Sequence, residues 1–378
     1  MLLMKNIRIF YFHTLDLTFK SAQTIQVAQD YGHLSNLGVN ISLFGLYKNE
    51  DDYLLIKEYF NNSKVNLVGK RYSLFNKLYI KIIFYKNLFS TKSNKIVVTR
   101  HYRKLRIILQ IKKYARNIKI IHEMHEESLP HLFKTNVSKT DIKSLFFNKS
   151  LDLIVFTNYS QQVLFKKEFG DLPHSVIVLP NGVELEKFNQ VLMSSNYVIT
   201  YGGGFNKWKN VELVFEALSI LEDKYSLRIA GGKGDLQSDL YIDNLINKFD
   251  INPSRVDYLG FVNNKDFAKK VLNKSNLLLL PLGDNIQSKY LTSPMKLFEY
   301  MATKIPILAV NFPSISLITN DTIYLSSMKA KDFADKIVEI CEQNVQDFDS
   351  SSMNKIAEKY SYKNRSLSLY KEIVNGLF

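Results

Sequence analysis

Short apolar runs alternate with amphipathic segments along the chain, a pattern typical of parallel α/β domains. In the first half, residues 24–37 show a helical pattern. Its apolar runs predict strands over residues 7–12, 40–44, 96–99, 118–122, 153–157 and 175–180. The second half predicts strands over residues 197–201, 227–230, 256–259, 277–280, 307–310 and 322–325, and helix beyond residue 332. The pattern therefore predicts two α/β halves of similar size.

The boundary between these halves is marked by Asn181-Gly182, a strong turn signal that follows the last strand of the first half. A length of 378 residues exceeds the roughly 100–200 expected for one domain. We therefore expect a first domain over residues 1–180 and a second that begins at residue 181.

The composition is that of an ordinary globular protein, with 46% hydrophobic and 23% charged residues. Disordered and fibrous classes are thereby excluded. A single cysteine, Cys341, excludes a disulfide framework and suits a reducing cytoplasm. The first ten residues lack the features of a secretion signal, and no uncharged apolar stretch is long enough to span a membrane. The sequence predicts a cytoplasmic protein.

The net charge of +14 is concentrated in the first half of the chain. Residues 1–178 contain 27 Lys+Arg and 13 Asp+Glu, whereas residues 179–378 contain 23 of each. Within the first half, residues 64–119 contain 16 Lys+Arg and no acidic residue. Such a segment attracts a polyanion, which could be a nucleic acid, an anionic membrane surface or an acidic substrate.

The segment over residues 74–89 favours the membrane surface among these partners. It spaces Lys77, Lys81 and Lys86 among aromatic and aliphatic residues, which is the pattern of an interfacial helix. The alternative is a helix that packs on the core and leaves its lysines in solvent. The segment has no nucleic-acid recognition motif, and aromatics in such apolar surroundings are more often buried than stacked on bases. We therefore expect no nucleic-acid partner.

The stretch over residues 293–302 predicts an anion-binding helix start. Ser293 is a good N-cap and Pro294 suits the first helical position. Lys296 then lies in the first turn, where a cation opposes the helix dipole unless an anion is bound there. Glu299 lies on the same face and could accept hydrogen bonds from a ribose diol. The alternative is a surface Lys–Glu pair on an ordinary helix.

Two glycine clusters follow predicted strands in the same half. Residues 202–204 precede Lys209, which stands before a helix that Asn210 could cap, and residues 231–234 form the second cluster. Such turns are common without ligands when they occur singly. Together with the helix start at residues 293–302 they make three such features in one domain, two of them with a lysine at a helix start. This combination indicates a diphosphate held at the carboxyl edge of a sheet.

Taken in order, these motifs resemble those of glycosyltransferase family four. The resemblance is close over residues 179–315 and looser over residues 20–23, 99–100 and 120–126. It implies the GT-B fold, in which two Rossmann-like domains face a central cleft, and transfer with retention of anomeric configuration. It also implies an acceptor- and membrane-facing domain over residues 1–180, a nucleotide-sugar-binding domain over residues 181–355, and a C-terminal helix over residues 356–378 that crosses back to the first domain.

The resemblance also implies roles for single residues. Lys209 matches the phosphate-binding lysine, Glu299 the glutamate that binds the donor ribose, and His125 a histidine near the donor sugar; these three are the predicted catalytic residues. The predicted donor-binding residues are Gly203, Gly204, Lys209, Gly231, Gly232, Phe261, Val262, Ser293, Pro294, Met295, Lys296, Leu297 and Glu299. The predicted acceptor-side residues are Ser21, Gln23 and Arg100. His125 could instead be a satisfied structural histidine, and Arg100 part of a solvated basic loop.

The resemblance implies a metal-independent hexosyltransferase-type enzyme without a cofactor, whose substrate is a nucleoside diphosphate sugar. UDP is our guess for the nucleotide. The expected acceptor is a lipid-linked or cell-surface polysaccharide or lipooligosaccharide, and the expected location is the inner face of the cell membrane. His122, Glu123, His125 and Glu126 could mimic a metal site, but residues that alternate on a strand face opposite ways.

Several positions depart from the family pattern, and two of them bear on catalysis. Gly204 stands where an arginine is usual, and Leu291 stands at the first place of the paired-glutamate motif. These departures keep open a catalytically degenerate subunit that binds nucleotide or membrane and supports a partner transferase. Nucleotide-sugar epimerases share the fold, but the first half does not resemble theirs.

Overall fold

The computed structural model describes residues 7–18, 22–61, 63–90, 93–115, 117–133, 135–188, 191–192, 197–343, 348 and 350–377. The chain divides into two compact units. The first unit consists of Met1–Pro180 together with Tyr362–Phe378, and the second of Asn181–Ser361. The chain thus enters the second unit at residue 181 and returns to the first at residue 362.

The first unit contains a seven-stranded sheet whose paired strands are all parallel. Its strands are β1 (Ile7–Asp16), β2 (Asn40–Tyr47), β3 (Val65–Arg71), β4 (Asn94–Thr99), β5 (Ile118–Met124), β6 (Leu153–Phe156) and β7 (Ser175–Val178). Its helices are α1 (Ala22–Asn36), α2 (Glu50–Tyr59), α3 (Leu74–Ser90), α4 (Tyr102–Lys112), α5 (Lys139–Phe146) and α6 (Tyr159–Phe169). The strand order is β3-β2-β1-β4-β5-β6-β7.

The second unit contains a six-stranded parallel sheet in the order β10-β9-β8-β11-β12-β13. Its strands are β8 (Val198–Gly203), β9 (Ser226–Gly231), β10 (Val256–Tyr258), β11 (Leu277–Leu280), β12 (Ile307–Val310) and β13 (Tyr324–Ser326). Its helices are α7 (Val211–Ile220), α8 (Leu236–Lys248), α9 (Asn264–Phe267), α10 (Met295–Met301), α11 (Pro313–Thr319), α12 (Ala330–Glu342) and α13 (Ser350–Lys359). The last helix, α14 (Tyr362–Glu372), belongs to the first unit.

Both sheets have the doubly wound order, in which the chain reverses direction across the sheet at one point. That point lies between β1 and β4 in the first unit and between β8 and β11 in the second. Ligands of such sheets bind outside the carboxyl ends of the strands at this position. The predicted two-domain α/β architecture is therefore confirmed.

Alternation along β1 separates the packing on the two faces of the first sheet. Ile9 and Tyr11 lie in the buried cluster that includes residues of α1 and Ile56 of α2. Phe12 points the other way and stacks on Phe84 of α3, with ring centroids 4.2 Å apart. α2 and α3 therefore cover opposite faces of this sheet.

Among the described residues, no helix has both the length and the apolar character needed to cross a bilayer.

Candidate functional site

The second unit gathers the predicted phosphate-binding residues around the carboxyl ends of β8 and β9 and the start of α10. β8 ends in Gly203 and runs into a short 3₁₀ turn, Lys207–Lys209, before α7 begins. Asn210 takes the left-handed conformation, with φ 51°, at the N-cap of α7, but its side chain makes no capping hydrogen bond. Asn210 therefore occupies the predicted N-cap position, but its side chain does not cap the helix.

Lys209 is half-buried, and its Nζ lies 4.0 Å from the ring centroid of Trp208. Burial and the nearby charge of Lys296 lower the pKa of Lys209 to about 8. Among the described residues, no carboxylate lies within ion-pair distance of Lys209. A partly buried ammonium without a counterion favours an anionic ligand, because the ligand would supply the missing charge.

Lys296 forms an ion pair with Glu299, in which Nζ lies 2.6 Å from Oε2. The Nζ also lies 3.2 Å from the ring centroid of Phe267. The Glu299 carboxylate is almost fully buried, with 5% of its side chain exposed. Lys296 is thus paired with Glu299, whereas Lys209 has no carboxylate partner among the described residues. The unpaired positive charge favours a phosphate group as ligand.

Packing requires glycine at the carboxyl ends of β8 and β9 and at the position after β9. A Cβ on Gly202 would lie 2.3 Å from the Phe267 ring, and one on Gly231 would lie 1.7 Å from the carbonyl oxygen of Gly203. Gly232 has a φ of +77°, and its Cβ would meet the Ser238 side chain at 2.5 Å. The absence of side chains at these positions therefore lets the protein pack closely on itself.

Tyr300 connects the carboxyl end of β8 to α10. Its hydroxyl accepts a hydrogen bond from the Gly202 amide at 2.9 Å and donates to the Gly202 carbonyl at 3.2 Å. Burial is the main reason that the pKa of Tyr300 is raised, so the hydroxyl stays protonated. This contact holds the segment that leads to Lys209 against the helix that carries Lys296 and Glu299.

The start of α10 differs from the prediction. The helix begins at Met295, Pro294 occupies the N-cap, and no side chain caps the helix. Ser293 is not the cap because its hydroxyl accepts a hydrogen bond from the Asn181 amide at 2.9 Å. The Asn181 side chain in turn donates to the Ser293 carbonyl. The first-turn amides of α10 therefore have no side-chain acceptor.

The remaining predicted donor residues fall into two groups. Leu297 is fully buried in the core of the second unit, so its side chain packs rather than faces a ligand. Met295, Gly204 and Val262 are half-buried, and Phe261 is exposed just beyond the end of β10. An exposed aromatic in that position offers a surface for a nucleobase.

In the first unit, His125 follows β5 and has both ring nitrogens engaged. Nδ1 lies 2.9 Å from a guanidinium nitrogen of Arg100, and Nε2 lies 3.0 Å from Oε1 of Glu123. Burial and the charge of Arg100 lower the pKa of His125. The geometry fits a neutral ring that accepts at Nδ1 and donates at Nε2. The predicted catalytic histidine thus lies within a hydrogen-bonded network.

Glu123 is the centre of that network, which the sequence did not predict. Its Oε1 also accepts from Gln26 at 3.1 Å and lies 3.4 Å from Arg365 of α14. Burial alone would raise the pKa of Glu123, but His125, Arg365 and Arg100 hold it well below its usual value. Arg365 forms a second buried ion pair with Asp30, at 2.6 Å.

The predicted acceptor-side residues are placed differently from one another. Arg100 is buried and donates to the Tyr11 hydroxyl at 3.1 Å as well as to His125. The alternative of a solvated loop is therefore wrong for Arg100. Gln23 lies half-buried near the start of α1, and Ser21 lies outside the described residues.

His122 and His125 face different partners. The ring of His122 contacts the hydroxyls of Thr99 at 2.7 Å and Ser128 at 2.9 Å. Within the described part of the chain, no group of three His, Cys, Asp or Glu residues is arranged to hold a metal ion.

Known proteins resemble the chain in fold and, over the second unit, in sequence. Residues 196–343 match the family model described as "Glycosyl transferases group 1". A glycosyltransferase from Rickettsia africae superposes with a TM-score of 0.71 at 15% identity, covering 97% of this chain and 98% of that chain. Anabaena Alr3699/HepE in complex with UDP superposes with a TM-score of 0.70 at 12% identity, covering 98% and 100%. The lipopolysaccharide outer core galactosyltransferase WaaB superposes at 0.68 and 15% identity, covering 98% and 99%. No curated protein sequence matches the chain.

Three observations define the class of protein: the two doubly wound units, the family match over the second unit, and the lysines at the carboxyl edge of the second sheet. The chain is a glycosyltransferase with the GT-B fold. The resemblance indicated by the sequence is thereby confirmed.

Proposed function

We propose that the protein transfers a sugar, with retention of anomeric configuration, from a nucleoside diphosphate donor to a lipid-linked or cell-surface polysaccharide or lipooligosaccharide acceptor. Such products belong to capsule and lipopolysaccharide synthesis. The observation that carries the proposal is the pair of lysines at the carboxyl edge of the sheet. Lys296 is paired with Glu299, whereas Lys209 has no carboxylate within ion-pair distance among the described residues.

The donor diphosphate is assigned to these two lysines. Its charge would raise the lowered pKa of Lys209 again, because an opposite charge favours the ammonium form. As the bond to the sugar breaks, negative charge grows on the leaving diphosphate, and a fixed ammonium stabilises it most at that moment. The two cations supply the charge compensation that a metal would otherwise supply, which supports a transferase that needs neither metal nor cofactor.

The nucleoside is assigned to the same edge of the sheet. Lys296 occupies Oε2 of Glu299, and we assign Oε1 to the ribose hydroxyls. Phe261 is the candidate surface for the base. UDP is the proposed nucleotide, and the fold shared with a protein crystallised with UDP supports that choice. His125 is assigned to the neighbourhood of the donor sugar, where Arg100 and Glu123 fix its tautomer.

The acceptor is assigned to the first unit, and the enzyme to the cytoplasmic face of the cell membrane as a peripheral protein. Residues 1–178 carry the entire net charge of +14, which attracts anionic lipids and anionic acceptors alike.

The first test is a thermal-shift panel with UDP, GDP, ADP, TDP and CMP. A ligand at about 100 times its dissociation constant stabilises the folded protein by roughly 2.7 kcal/mol, which is easily measured. We expect UDP to respond, and the response to be lost in Glu299→Ala but kept in Glu222→Ala, an exposed glutamate of the same unit. Absence of any response would contradict the proposed donor site.

A further inference from the structure

Helix α3 is apolar on two sides, and only one of them is buried. Ile80, Phe84 and Leu88 face the sheet, where Phe84 packs on Phe10, Phe12 and Phe44. These three positions are spaced by four residues and therefore form one stripe of the helix. The alternative of an ordinary core-packing helix therefore explains why this stripe of α3 is apolar, but not why the other side is.

The opposite side of α3 is apolar and exposed. We call the following five residues the outer face of α3: Leu74, Phe75, Leu78, Ile82 and Phe89, with 82%, 77%, 56%, 56% and 54% of their surface exposed. At 100° per residue they fall within an arc of roughly 100°. Monomeric proteins seldom expose a contiguous apolar surface of this kind without a partner.

Basic residues border the outer face on both sides. On the same helical projection, Lys81 lies about 20° beyond Leu74 and Lys86 about 20° beyond Phe75. Both lysines are exposed, as is Lys77 further round the helix. No acidic residue occurs between Glu58 and Glu123 to neutralise this border.

Two tyrosines extend the same pattern at the start of the helix. The Nζ of Lys70 lies 5.2 Å from the ring centroid of Tyr79, and that of Lys48 lies 6.0 Å from the ring centroid of Tyr72. Both rings are exposed. Tyrosine and lysine side chains are each apolar in one part and polar at the tip. Such side chains are typical of the lipid headgroup level, where the apolar part is buried and the polar tip is solvated.

We propose that the outer face of α3 inserts into the headgroup–acyl boundary of an anionic lipid bilayer, with the helix parallel to the membrane plane. Leu74, Phe75 and Ile82 enter the apolar region, while Lys81 and Lys86 extend along its edge to lipid phosphates. This inference rests on the proposed membrane association and names the surface responsible for it.

The charge of the border favours lipid over a second copy of the chain. Two outer faces placed against each other would bring two sets of lysines together with no acidic residue of the segment to pair them. An anionic bilayer instead offers both the apolar interior and the opposite charge.

The test is co-sedimentation of the full chain with vesicles of pure phosphatidylcholine and of equal parts phosphatidylcholine and phosphatidylglycerol. We expect binding to the anionic vesicles that weakens with added salt. The double variant Phe75→Ser/Ile82→Ser should lower the partition coefficient at least about tenfold, since each side chain loses most of its transfer free energy. The matched control Leu54→Ser/Leu55→Ser removes two exposed leucines from α2, on the opposite face of the sheet, and should bind as the wild type does.

Charge is tested separately. Lys77→Gln/Lys81→Gln/Lys86→Gln should weaken binding at low salt on the order of 100-fold, because each lysine near the surface contributes roughly fivefold. The control Lys265→Gln/Lys269→Gln/Lys355→Gln removes the same charge from exposed positions of the second unit and should change little. All variants should keep the thermal shift with UDP.

Three outcomes would overturn the inference. If the wild type binds anionic vesicles and both α3 variants bind equally well, the membrane proposal survives and the assignment to α3 fails. If the wild type does not bind anionic vesicles at low salt, the membrane proposal and the assignment to α3 both fail. If light scattering shows a wild-type dimer that Phe75→Ser/Ile82→Ser converts to monomer, the outer face is a dimer interface instead. The thermal shift with UDP reports on the donor site independently of all three.

Discussion

The two units share one strand order up to the sixth strand, but they differ in how the carboxyl edge of each sheet is filled. In the first unit, Arg100, Glu123 and His125 satisfy one another through short hydrogen bonds. In the second, Lys296 is paired with Glu299, and Lys209 has no carboxylate partner among the described residues. The same topology therefore carries two different arrangements. We call the carboxyl edge of the first sheet, whose polar groups pair with one another, the closed edge. We call the carboxyl edge of the second sheet, which has uncompensated positive charge, the open edge.

The comparison teaches that a polar cluster at the expected place in a sheet is not enough to identify a donor site. Buried polar groups that pair with each other contribute to the architecture, whereas groups that lack a counterion have interaction capacity left for a ligand. This criterion favours the second unit for the proposed diphosphate site. The two kinds of edge should respond differently to substitution and to pH.

The largest expected effect is on the closed edge. Arg365→Met leaves the carboxylates of Asp30 and Glu123 buried without their guanidinium partner, which should cost about 3–5 kcal/mol of unfolding free energy. Denaturant unfolding of the full chain measures it. The control Lys363→Met changes an exposed residue of the same helix and should alter stability by less than about 0.5 kcal/mol. Equal stability of the two variants would show that the network is not structural.

The next effect is on the open edge. Lys209→Ala should lower the rate of nucleoside diphosphate release from the donor roughly 100-fold or more, since the ammonium stabilises the leaving group, while the unfolding free energy changes little. Lys207→Ala removes an exposed lysine from the same turn and should keep nearly full activity. A kinetic loss of equal size in both variants would mean that net charge, and not the placement of Lys209, matters. Undiminished turnover in Lys209→Ala would contradict its catalytic role.

Acid should destabilise the first unit selectively, because all seven histidines lie in residues 1–178. Burial is the main cause that lowers the pKa of His13 and of His122 to about 3, whereas both titrate near 6.5 in the unfolded chain. The unfolded state therefore binds more protons below pH 6.5, and stability falls as the pH falls. Burial raises the pKa of Asp30 to about 6, so the folded state takes up a proton there and part of the loss is offset.

The net loss between pH 7 and pH 5 should be about 2 kcal/mol. Hydrogen exchange of the full chain, corrected for the intrinsic rate, measures it by comparing peptides from β5 with peptides from β11. Protection in β5 should fall with acid and protection in β11 should hold. Equal losses in both strands would contradict the assignment of the effect to the histidines.

Much of the fold could be predicted because buried parallel strands are continuous apolar runs. The run Leu277–Leu280 has the predicted bounds, and so does Ile307–Val310. β3 was not predicted, since an edge strand that contains Asn66 and Lys70 has no such run. β1 is longer than predicted and extends to Asp16 past an irregularity in its pairing with β2.

The contacts of the candidate site also divide into those that a local pattern predicts and those that it does not. Lys296 and Glu299 are three residues apart on one helix, so their contact follows from the helical repeat. Arg365 is 242 residues from Glu123, and no local pattern predicts that these two side chains meet. The N-cap at Ser293 failed for a similar reason, because its competitor, Asn181, is 112 residues away.

Alkali should weaken the open edge alone. Lys209 has a pKa of about 8 in the free protein, and a bound diphosphate raises it, so binding takes up a proton above pH 8. The affinity for UDP should therefore fall about tenfold between pH 7 and pH 9, as measured by calorimetry at constant ionic strength. Lys209→Arg keeps its charge throughout this range and should bind UDP with nearly the same affinity at both pH values. A wild-type affinity that does not change with pH would contradict either the lowered pKa of Lys209 or its contact with the diphosphate.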